Sequence, residues 1–211
     1  MKKFMFSSGV FIAVILVFFV VNLNSKTPDE KVKSFNESVK YENNGNIDKA
    51  IESLSSIYTS NKDNYLINIR LGWLYYQKKD YSKSAGFYSE AVRINPKSIE
   101  AKLGLTLPLS AKDEWDKIKD LYFDILKQDP MNYTANLRIG QIYLQNGDYN
   151  SAKKHLEIAY NSYPSYYEPN LSLGWTHYYL GSKEKAKLLL TQALMLNESD
   201  TLAKEGLNLI R

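Results

Sequence analysis

The stretch from Leu71 to Pro96 decides the fold, and it reads LGWLYYQKKDYSKSAGFYSEAVRINP. Its pattern recurs along the chain at a fixed step of 34 residues, so that small or apolar residues fall into columns. One such column consists of Ala50, Ser84, Ile118, Ala152 and Ala186. A fixed period of this length is typical of stacked repeat proteins, in which each unit buries its apolar face against its neighbours. Such stacks usually present surfaces that hold other proteins, and they seldom act as catalysts.

Each repeat has the pattern of two helices separated by a break. Leu71 and Tyr75 lie one helical turn apart, and Gly72 is small enough to let two helices approach closely. At the break, for example the Asn-Gly-Asp of residues 146–148, Gly ends one helix in the left-handed conformation and a polar side chain caps the next. A proline such as Pro96 ends the second helix. The predicted units are residues 31–64, 65–98, 99–132, 133–166 and 167–200.

The pattern resembles the tetratricopeptide repeat. That family has Leu-Gly-x-x-Tyr in its first helix, then a small residue, an aromatic residue or Leu, and Ala in its second helix, followed by Pro. The resemblance covers residues 31–200 and implies an all-α fold, a right-handed α-solenoid of five helix-turn-helix repeats whose first helices line a concave face. We expect residues 201–211 to form a capping helix that covers the exposed end with Lys204, Glu205, Asn208 and Arg211.

The third unit departs from the pattern because Pro108 lies inside its first helix. Proline has no N–H group to donate to the carbonyl of Gly104, and its ring crowds that carbonyl. Gly104 gives the backbone room to adjust, so the sequence predicts a bend of this helix between residues 104 and 110.

The N-terminus has the pattern of an export signal. Residues 1–3 form a basic tail, and the mostly apolar residues 4–23 would span roughly 30 Å as a helix, the thickness of a bilayer core. This segment either stays as a transmembrane signal-anchor or is removed as a signal peptide, and the lack of an Ala-x-Ala site after it favours the anchor. Residues 24–30 would form a short linker. We expect the repeats to lie outside the cytoplasm, anchored to the membrane, or to be secreted or periplasmic if the N-terminus is cleaved.

The composition fits an ordered protein and argues against several other classes. The 211 residues are 44% hydrophobic, which is enough for a packed core. The net charge is +4, and only four of the 27 basic residues are Arg, so we do not expect nucleic-acid binding. The sequence has no Cys, which excludes disulfides and thiolate metal sites.

The sequence contains no pattern of a catalytic, cofactor-binding or metal-binding site. His177 falls in the column of Tyr75, where we expect it to pack in the core, and we expect His155 to face outward. Asp113 and Glu114 lie at an inter-helix turn, where acids are favoured by the helix dipole alone. We therefore predict that the protein is not an enzyme and holds no cofactor or metal.

A partner-binding surface is predicted on the first helices of the repeats. Trp73 and Trp175 occupy equivalent positions three repeats apart, and tyrosine, amide and basic side chains lie near them in the groove implied by the resemblance. An exposed stripe of this kind suits an apolar or aromatic segment of a partner. The alternative is that these aromatic residues bury against neighbouring first helices. The candidate residues are Arg70, Trp73, Tyr76, Gln77, Arg138, Gln141, Gln145, Trp175, Tyr178 and Tyr179.

These observations lead to three hypotheses. The leading one is a membrane-tethered tetratricopeptide scaffold or adaptor that binds a protein or peptide partner in the groove. The alternative is self-assembly, in which the groove and the terminal helix pack against another copy to form a homo-oligomer. The third is an enzyme or a small-ligand-binding module, which would need a polar pocket with perturbed titratable groups.

Overall fold

Helices make up the regular structure of residues 28–210, the part of the chain that a computed structural model describes. Eleven helices follow one another in this range, and no strand lies among them. They are α1 (Pro28–Asn43), α2 (Ile47–Tyr58), α3 (Tyr65–Gln77), α4 (Tyr81–Ile94), α5 (Ile99–Ser110), α6 (Trp115–Gln128), α7 (Tyr133–Gln145), α8 (Tyr149–Ser162), α9 (Tyr167–Tyr179), α10 (Lys183–Leu196) and α11 (Thr201–Leu209). The predicted all-α class is confirmed for these residues, and α1 begins within the stretch expected to be a linker.

The apolar segment predicted to anchor the protein, residues 4–23, lies outside the described residues. Between residues 28 and 210, no helix is both long enough and apolar enough to cross a bilayer. The membrane anchor therefore stays a prediction.

Each break between the two helices of a repeat contains a residue in the left-handed conformation. Three of them are the glycines indicated by the sequence, with φ of 74° at Gly45, 79° at Gly147 and 75° at Gly181. In the two repeats without this glycine, Lys79 has φ of 63° and Asp113 has φ of 57°. A residue with a side chain is destabilised there by roughly 1–2 kcal/mol. The loops of these two repeats therefore keep the same backbone geometry despite local strain.

Side chains cap the second helices of three repeats. Asn46, Asp80 and Asp148 accept hydrogen bonds from backbone N–H groups three residues further on, at 3.2, 3.1 and 3.1 Å. Glu114 and Ser182 occupy the same position without making this bond, so the predicted cap is wrong for them. The carboxylate of Glu114 pairs with two neighbouring lysines instead.

The described residues form two compact units, residues 28–108 and 109–210, whose boundary lies within α5. In the first unit α1 packs on α2, α2 on α3 and α3 on α4. Leu54, Leu71 and nearby leucine and isoleucine side chains form the core between them. The ring of Tyr88 fills the space beside Gly72 and Gly104, where an added Cβ atom would lie only 2.8 and 2.3 Å from it. The missing side chains at these two glycines therefore make room for a tyrosine between helices.

Pro108 does not interrupt α5, which runs unbroken from Ile99 to Ser110. The space at Gly104 is taken by the ring of Tyr88, so this glycine serves packing between helices rather than adjustment of the backbone around the proline. The bend of the helix axis near Pro108 stays a prediction.

The second unit repeats this packing with leucine in place of tyrosine. Each helix from α6 to α11 packs on the next. Leu156 lies against Gly140, and Leu190 lies against both Gly174 and Gly206; a Cβ atom at these glycines would come within 2.6, 2.9 and 2.6 Å of the leucines. The prediction that small residues in this column allow close helix approach is confirmed.

Three buried asparagines join the inter-repeat loops to the helices that follow them. Asn68, Asn136 and Asn170 occupy equivalent positions and are at most 1% exposed. The side-chain amide of Asn136 donates to the carbonyls of Pro130 and Asn132, both at 2.9 Å. The other two asparagines make the corresponding bonds. These bonds give hydrogen-bond donors to backbone carbonyl groups around the loops. A buried carbonyl group without a donor would destabilise the folded protein.

Both histidines are packed within the second unit. His177 is 4% exposed, as predicted for a core residue, and its burial, together with two nearby lysines, lowers its pKa. The prediction that His155 faces outward is wrong. Its ring stacks on Tyr143 at 5.7 Å, and its Nδ1 lies 2.9 Å from Oδ1 of Asn136. The buried amide gives the imidazole a polar partner on the packed side of α8, which is why the ring turns inward.

The helix predicted at the C-terminus is present as α11, and Asp200 caps it by accepting two backbone N–H groups at 3.1 and 2.9 Å. The side chains expected to form a polar cover are exposed, namely Lys204, Glu205 and Asn208, while Arg211 lies outside the described residues. Leu202 and Leu209 are also about half exposed. This end of the chain is therefore only partly polar.

Candidate partner-binding site

The aromatic residues predicted for the groove of the first unit lie together on α3. The indole of Trp73 is 39% exposed, and it stacks on Tyr76 with ring centroids 5.9 Å apart. Tyr76 in turn contacts Tyr81 of α4 at 5.8 Å. Trp73 and Tyr76 therefore form a continuous aromatic surface that is partly open to solvent.

Glu42 of α1 joins the polar groups of this surface. Its carboxylate accepts a hydrogen bond from Nε1 of Trp73 at 2.7 Å and one from Nε2 of Gln77 at 2.5 Å. It also forms an ion pair with Nη2 of Arg70 at 2.8 Å, and the two paired side chains are only 14% and 18% exposed. Burial raises the pKa of Glu42, but the donors from Trp73, Gln77 and Arg70 together outweigh it, so its pKa lies below the usual value.

Arg70 has two further partners on α1. Its Nε donates to Oγ of Ser38 at 3.0 Å, and its guanidinium lies 5.5 Å from the ring centroid of Phe35. All these contacts join the first helices of consecutive repeats. Arg70 and Gln77 therefore hold two repeats together, and the faces of Trp73 and Tyr76 are what a partner can reach.

Sequence reasoning missed Glu42, because the first repeat follows the family pattern least closely. A signal was nevertheless present in the spacing. Arg70, Trp73 and Gln77 lie at i, i+3 and i+7 on one face of α3, and Ser38 and Glu42 lie at i and i+4 on α1. If these two helix faces pack together, the carboxylate of Glu42 lies opposite the three donor side chains of α3.

In the second unit, Arg138 and Gln141 of α7 form a similar connection to α9. Nη1 of Arg138 donates to Oε1 of Glu168 at 2.9 Å and to Oε1 of Gln141 at 2.8 Å. Nε2 of Gln141 donates to Oγ of Ser172 at 3.2 Å. Arg138 is equivalent to Arg70, so both units use this arginine to join consecutive first helices. The pair with Glu168 is more exposed, and we expect it to contribute only about 0–1 kcal/mol to stability.

Four aromatic residues cluster at the end of α9. Trp175 contacts Tyr178 at 5.5 Å and Tyr179 at 5.8 Å between ring centroids. Tyr179 also stacks on Tyr149 of α8, with centroids 4.6 Å apart and planes within 8°. Trp175 is half-buried and lies against Gly206 of α11, whereas Tyr179 is 50% exposed. Tyr179 is therefore the member of this cluster most accessible to a partner.

The predicted residues thus fall into sets within each compact unit. The sequence left open whether the aromatic side chains are exposed or bury against neighbouring helices, and both arrangements occur. Trp73 and Tyr179 present open faces, and Gln145 is exposed at the end of α7, while Tyr76 and Tyr178 are half-buried. The polar members mostly stabilise contacts between repeats.

The part of the chain from residue 28 to 210 contains no group of three or more His, Asp or Glu side chains placed to hold a metal ion. Glu114, one of the acids at the start of α6, is paired with Lys112 at 2.6 Å and Lys117 at 2.5 Å. These two lysines lower its pKa, so it is a poor proton acceptor at neutral pH.

Comparison with known families decides what kind of repeat this is. A sequence model of the tetratricopeptide repeat matches residues 39–99, and a second one matches residues 133–166 and 167–200. Together these matches cover more than half of the chain. The chain belongs to the tetratricopeptide repeat family. A search of curated protein sequences found no match.

Solved structures share the fold of this tetratricopeptide repeat protein. A crystal structure of MamA protein matches with a TM-score of 0.69 at 18% identity, over 82% of this chain and 94% of that one. A tetratricopeptide repeat protein from Parabacteroides merdae matches with a TM-score of 0.74 at 16% identity, over 86% of this chain and 72% of that one. YrrB is described as a tetratricopeptide repeat protein with an unusual peptide-binding site. It matches with a TM-score of 0.68 at 14% identity, over 84% of this chain and 92% of that one. At these identities the likeness establishes the fold alone.

Proposed function

We propose that the protein is a membrane-tethered tetratricopeptide adaptor that binds a segment of a protein partner on the first helices of its repeats. The observation that carries this proposal is a partly exposed aromatic surface in each unit, at Trp73 and Tyr76 and at Tyr179. Aromatic side chains are enriched at interaction surfaces because they bury a large area and lose little conformational freedom. Trp73 stacks on Tyr76 and Tyr179 stacks on Tyr149, which reduces the conformational freedom that these rings lose on binding.

The partner segment is expected to be apolar or to contain aromatic residues. Arg70 is paired with Glu42 and Arg138 with Glu168, so an acidic peptide would have to compete with these carboxylates. The exposed rings instead offer faces and edges for apolar contact. The structural likeness to a tetratricopeptide repeat protein described as having a peptide-binding site agrees with a peptide as the partner.

Comparing variants in the same pull-down, followed by mass spectrometry, tests the binding surface. Tyr179→Ala and Trp73→Ala should each reduce the recovery of the same partner, because they remove exposed rings. Glu42→Ala is the matched control, since it breaks the polar contacts of Trp73 but leaves both rings in the protein. Equal loss with Glu42→Ala and Trp73→Ala would assign Trp73 a structural role, and unchanged partners in both aromatic variants would refute the surface.

The membrane tether is supported by the apolar residues 4–23 and the two lysines before them. Full-length protein should sediment with membranes, whereas a variant lacking residues 4–23 should stay in the supernatant. Protease added to intact cells should cleave the repeats if they lie outside the cytoplasm. Full-length protein with an intact N-terminus in the supernatant would refute the tether.

Self-assembly is a second candidate, favoured by apolar side chains on the last two helices. Leu188, Met195, Leu196, Leu202 and Leu209 are all exposed. Exposed apolar groups of this kind can mark an interface between copies. Light scattering in detergent should then give a mass above that of one chain, and Met195→Glu with Leu202→Glu should return it to a monomer. A wild-type monomer would exclude this candidate.

A further inference from the structure

A cleft of about 520 Å³ lies between two neighbouring inter-repeat loops of the second unit. One side is formed by residues 129–134, in the loop after α6 and the first turn of α7. The other is formed by residues 162–166, at the end of α8 and in the loop after it. Tyr133, Tyr163 and Tyr166 supply most of its aromatic surface. Tyr166 precedes α9 and Tyr179 ends it, so about 20 Å of helix separates this cleft from the aromatic cluster described above.

The three tyrosines form two walls at right angles. Tyr163 and Tyr166 stack with ring centroids 4.7 Å apart and planes within 15°. The ring plane of Tyr133 is at 83° to that of Tyr163 and at 90° to that of Tyr166, with ring centroids 4.9 and 5.6 Å apart. Tyr163 and Tyr166 are 44% and 49% exposed, so a ligand in the cleft can reach their rings.

Tyr166 occupies a position that caps a helix elsewhere in the chain. Asn64, Asn132 and Asp200 stand at the equivalent positions, and each accepts a hydrogen bond from a backbone N–H three residues further on. Tyr166 precedes α9 in the same way but makes no side-chain cap. The stabilisation that a capping side chain gives to the first turn of a helix is therefore missing at α9.

Tyr163 likewise replaces a residue that stabilises a turn. Asn95 and Asp129 stand at the equivalent positions, and each accepts a hydrogen bond from the backbone N–H two residues further on. A tyrosine side chain cannot make this short bond. The loop after α8 therefore lacks two stabilising bonds of its neighbours and exposes two large rings. The two rings pack on each other and on Tyr133 but stay about half exposed. Capping residues replaced by exposed rings are what is expected at a binding site.

The charge of the cleft favours a cation. Asp129 is the residue with a formal charge among those that line it. Its Oδ1 accepts from the backbone N–H of Met131 at 3.2 Å and its Oδ2 from Nδ2 of Asn132 at 3.1 Å, which leaves a second lone pair on each oxygen. The faces of tyrosine rings are also electron-rich and attract cations.

We propose that this cleft binds an arginine side chain carried by a peptide segment of a protein partner. A planar guanidinium can stack on a tyrosine face and donate two hydrogen bonds to one carboxylate, so it uses both the rings and Asp129. A quaternary ammonium has no N–H to donate, and a lysine ammonium is not planar. The cleft is larger than a single guanidinium, which leaves room for the backbone that carries it. The site does not depend on the surface around Trp73 and Tyr179.

The test is a titration of the full-length protein in detergent with a short glycine-flanked arginine peptide, followed by calorimetry or by NMR of the tyrosine rings. The same peptide with citrulline, which keeps the shape but removes the charge, is the matched control. We expect the citrulline peptide to bind at least about tenfold more weakly. Equal affinity of the two peptides, or no binding of the arginine peptide at millimolar concentrations, would overturn the proposal.

Two variants assign the binding to the cleft. Tyr163→Asn with Tyr166→Asn installs the residues found in equivalent loops and removes two of the rings that line the cleft, so it should abolish binding. Asp129→Asn removes the charge and should weaken binding about tenfold, which keeps the test decisive if the double variant folds poorly. Glu184→Gln, which removes the charge of an exposed acid on α10, should bind the arginine peptide as the wild type does. Binding retained in the first two variants would place the arginine elsewhere and refute the site.

Discussion

Replacing Glu42 by alanine is expected to destabilise the first unit. The change removes the acceptor of the Trp73 and Gln77 bonds, at 2.7 and 2.5 Å, and leaves the guanidinium of Arg70 without its carboxylate. Breaking a buried ion pair typically lowers the free energy of unfolding by about 3–5 kcal/mol. The Glu42 side chain is 18% exposed, so we expect a smaller loss of about 2–4 kcal/mol because solvent can take over part of the interaction.

Chemical and thermal unfolding, followed by circular dichroism, measure this effect. A loss of this size corresponds to a fall of roughly 5–15 °C in the midpoint of thermal unfolding. Glu37→Ala is the matched control, because Glu37 is exposed on the same helix and should change stability by less than about 0.5 kcal/mol. If Glu42→Ala were no more destabilising than Glu37→Ala, Glu42 would not be a structural link between the first two repeats.

The pH dependence of stability gives an independent check on Glu42. Its pKa is lower in the folded protein than the usual value of 4.5. The ionised carboxylate of Glu42 therefore contributes its full stabilisation of the folded protein at pH values above 4.5. This stabilisation is lost as the pH falls from 4.5 towards the folded-state pKa. Glu42→Gln keeps a hydrogen-bond acceptor but carries no charge, so its stability should lack the part of the pH dependence that comes from Glu42. If the wild type and Glu42→Gln lost stability in the same way on acidification, the ionised carboxylate of Glu42 would not stabilise the folded protein.

Three further predictions concern the loops and the core. Lys79→Gly should raise the free energy of unfolding by up to about 1 kcal/mol in urea titrations, because glycine relieves the left-handed strain; a decrease would contradict this. Asn136→Ala should lower it by about 2–3 kcal/mol, since two carbonyl groups lose their donor, and a neutral result would show that the bonds are dispensable. Wild-type stability should fall below about pH 6.5, because burial lowers the pKa of His155 and of His177, so the unfolded chain takes up these protons at a higher pH than the folded protein does. His177→Leu should make this fall smaller, and an unchanged slope would exclude His177 as a source of it.

Local signals made the helices and their boundaries predictable. Asp80 predicts the start of a helix because its carboxylate can cap the backbone N–H groups that follow, and α4 begins at the next residue. Gly147 predicts the end of a helix for an equally local reason, which its φ of 79° confirms. Trp73 and Tyr179 were also predictable as candidate contact residues, because the repeat places them on the first helices.

Contacts between side chains of different repeats were not predictable in this way. The period indicates that α1 and α3 face each other, but it does not show that Glu42 accepts from Trp73 and Gln77. His155 was predicted to face outward because it lies one place before Leu156 on a second helix. Its position is decided instead by the buried amide of Asn136 and the ring of Tyr143, which belong to another helix.

The amino-acid sequence alone was enough to establish the 34-residue unit, because caps, glycine turns and apolar columns act over a few residues and recur at a fixed spacing. Which of its side chains remain available for a partner depended on the tertiary structure. Arg70 and Gln77 look like groove residues in the sequence, yet both are bonded to Glu42, whereas Tyr163 and Tyr166 look like loop residues and form the walls of a cleft. The physical reason is that exposure and hydrogen bonding depend on atoms brought together from different repeats, whose positions follow from packing rather than from local spacing.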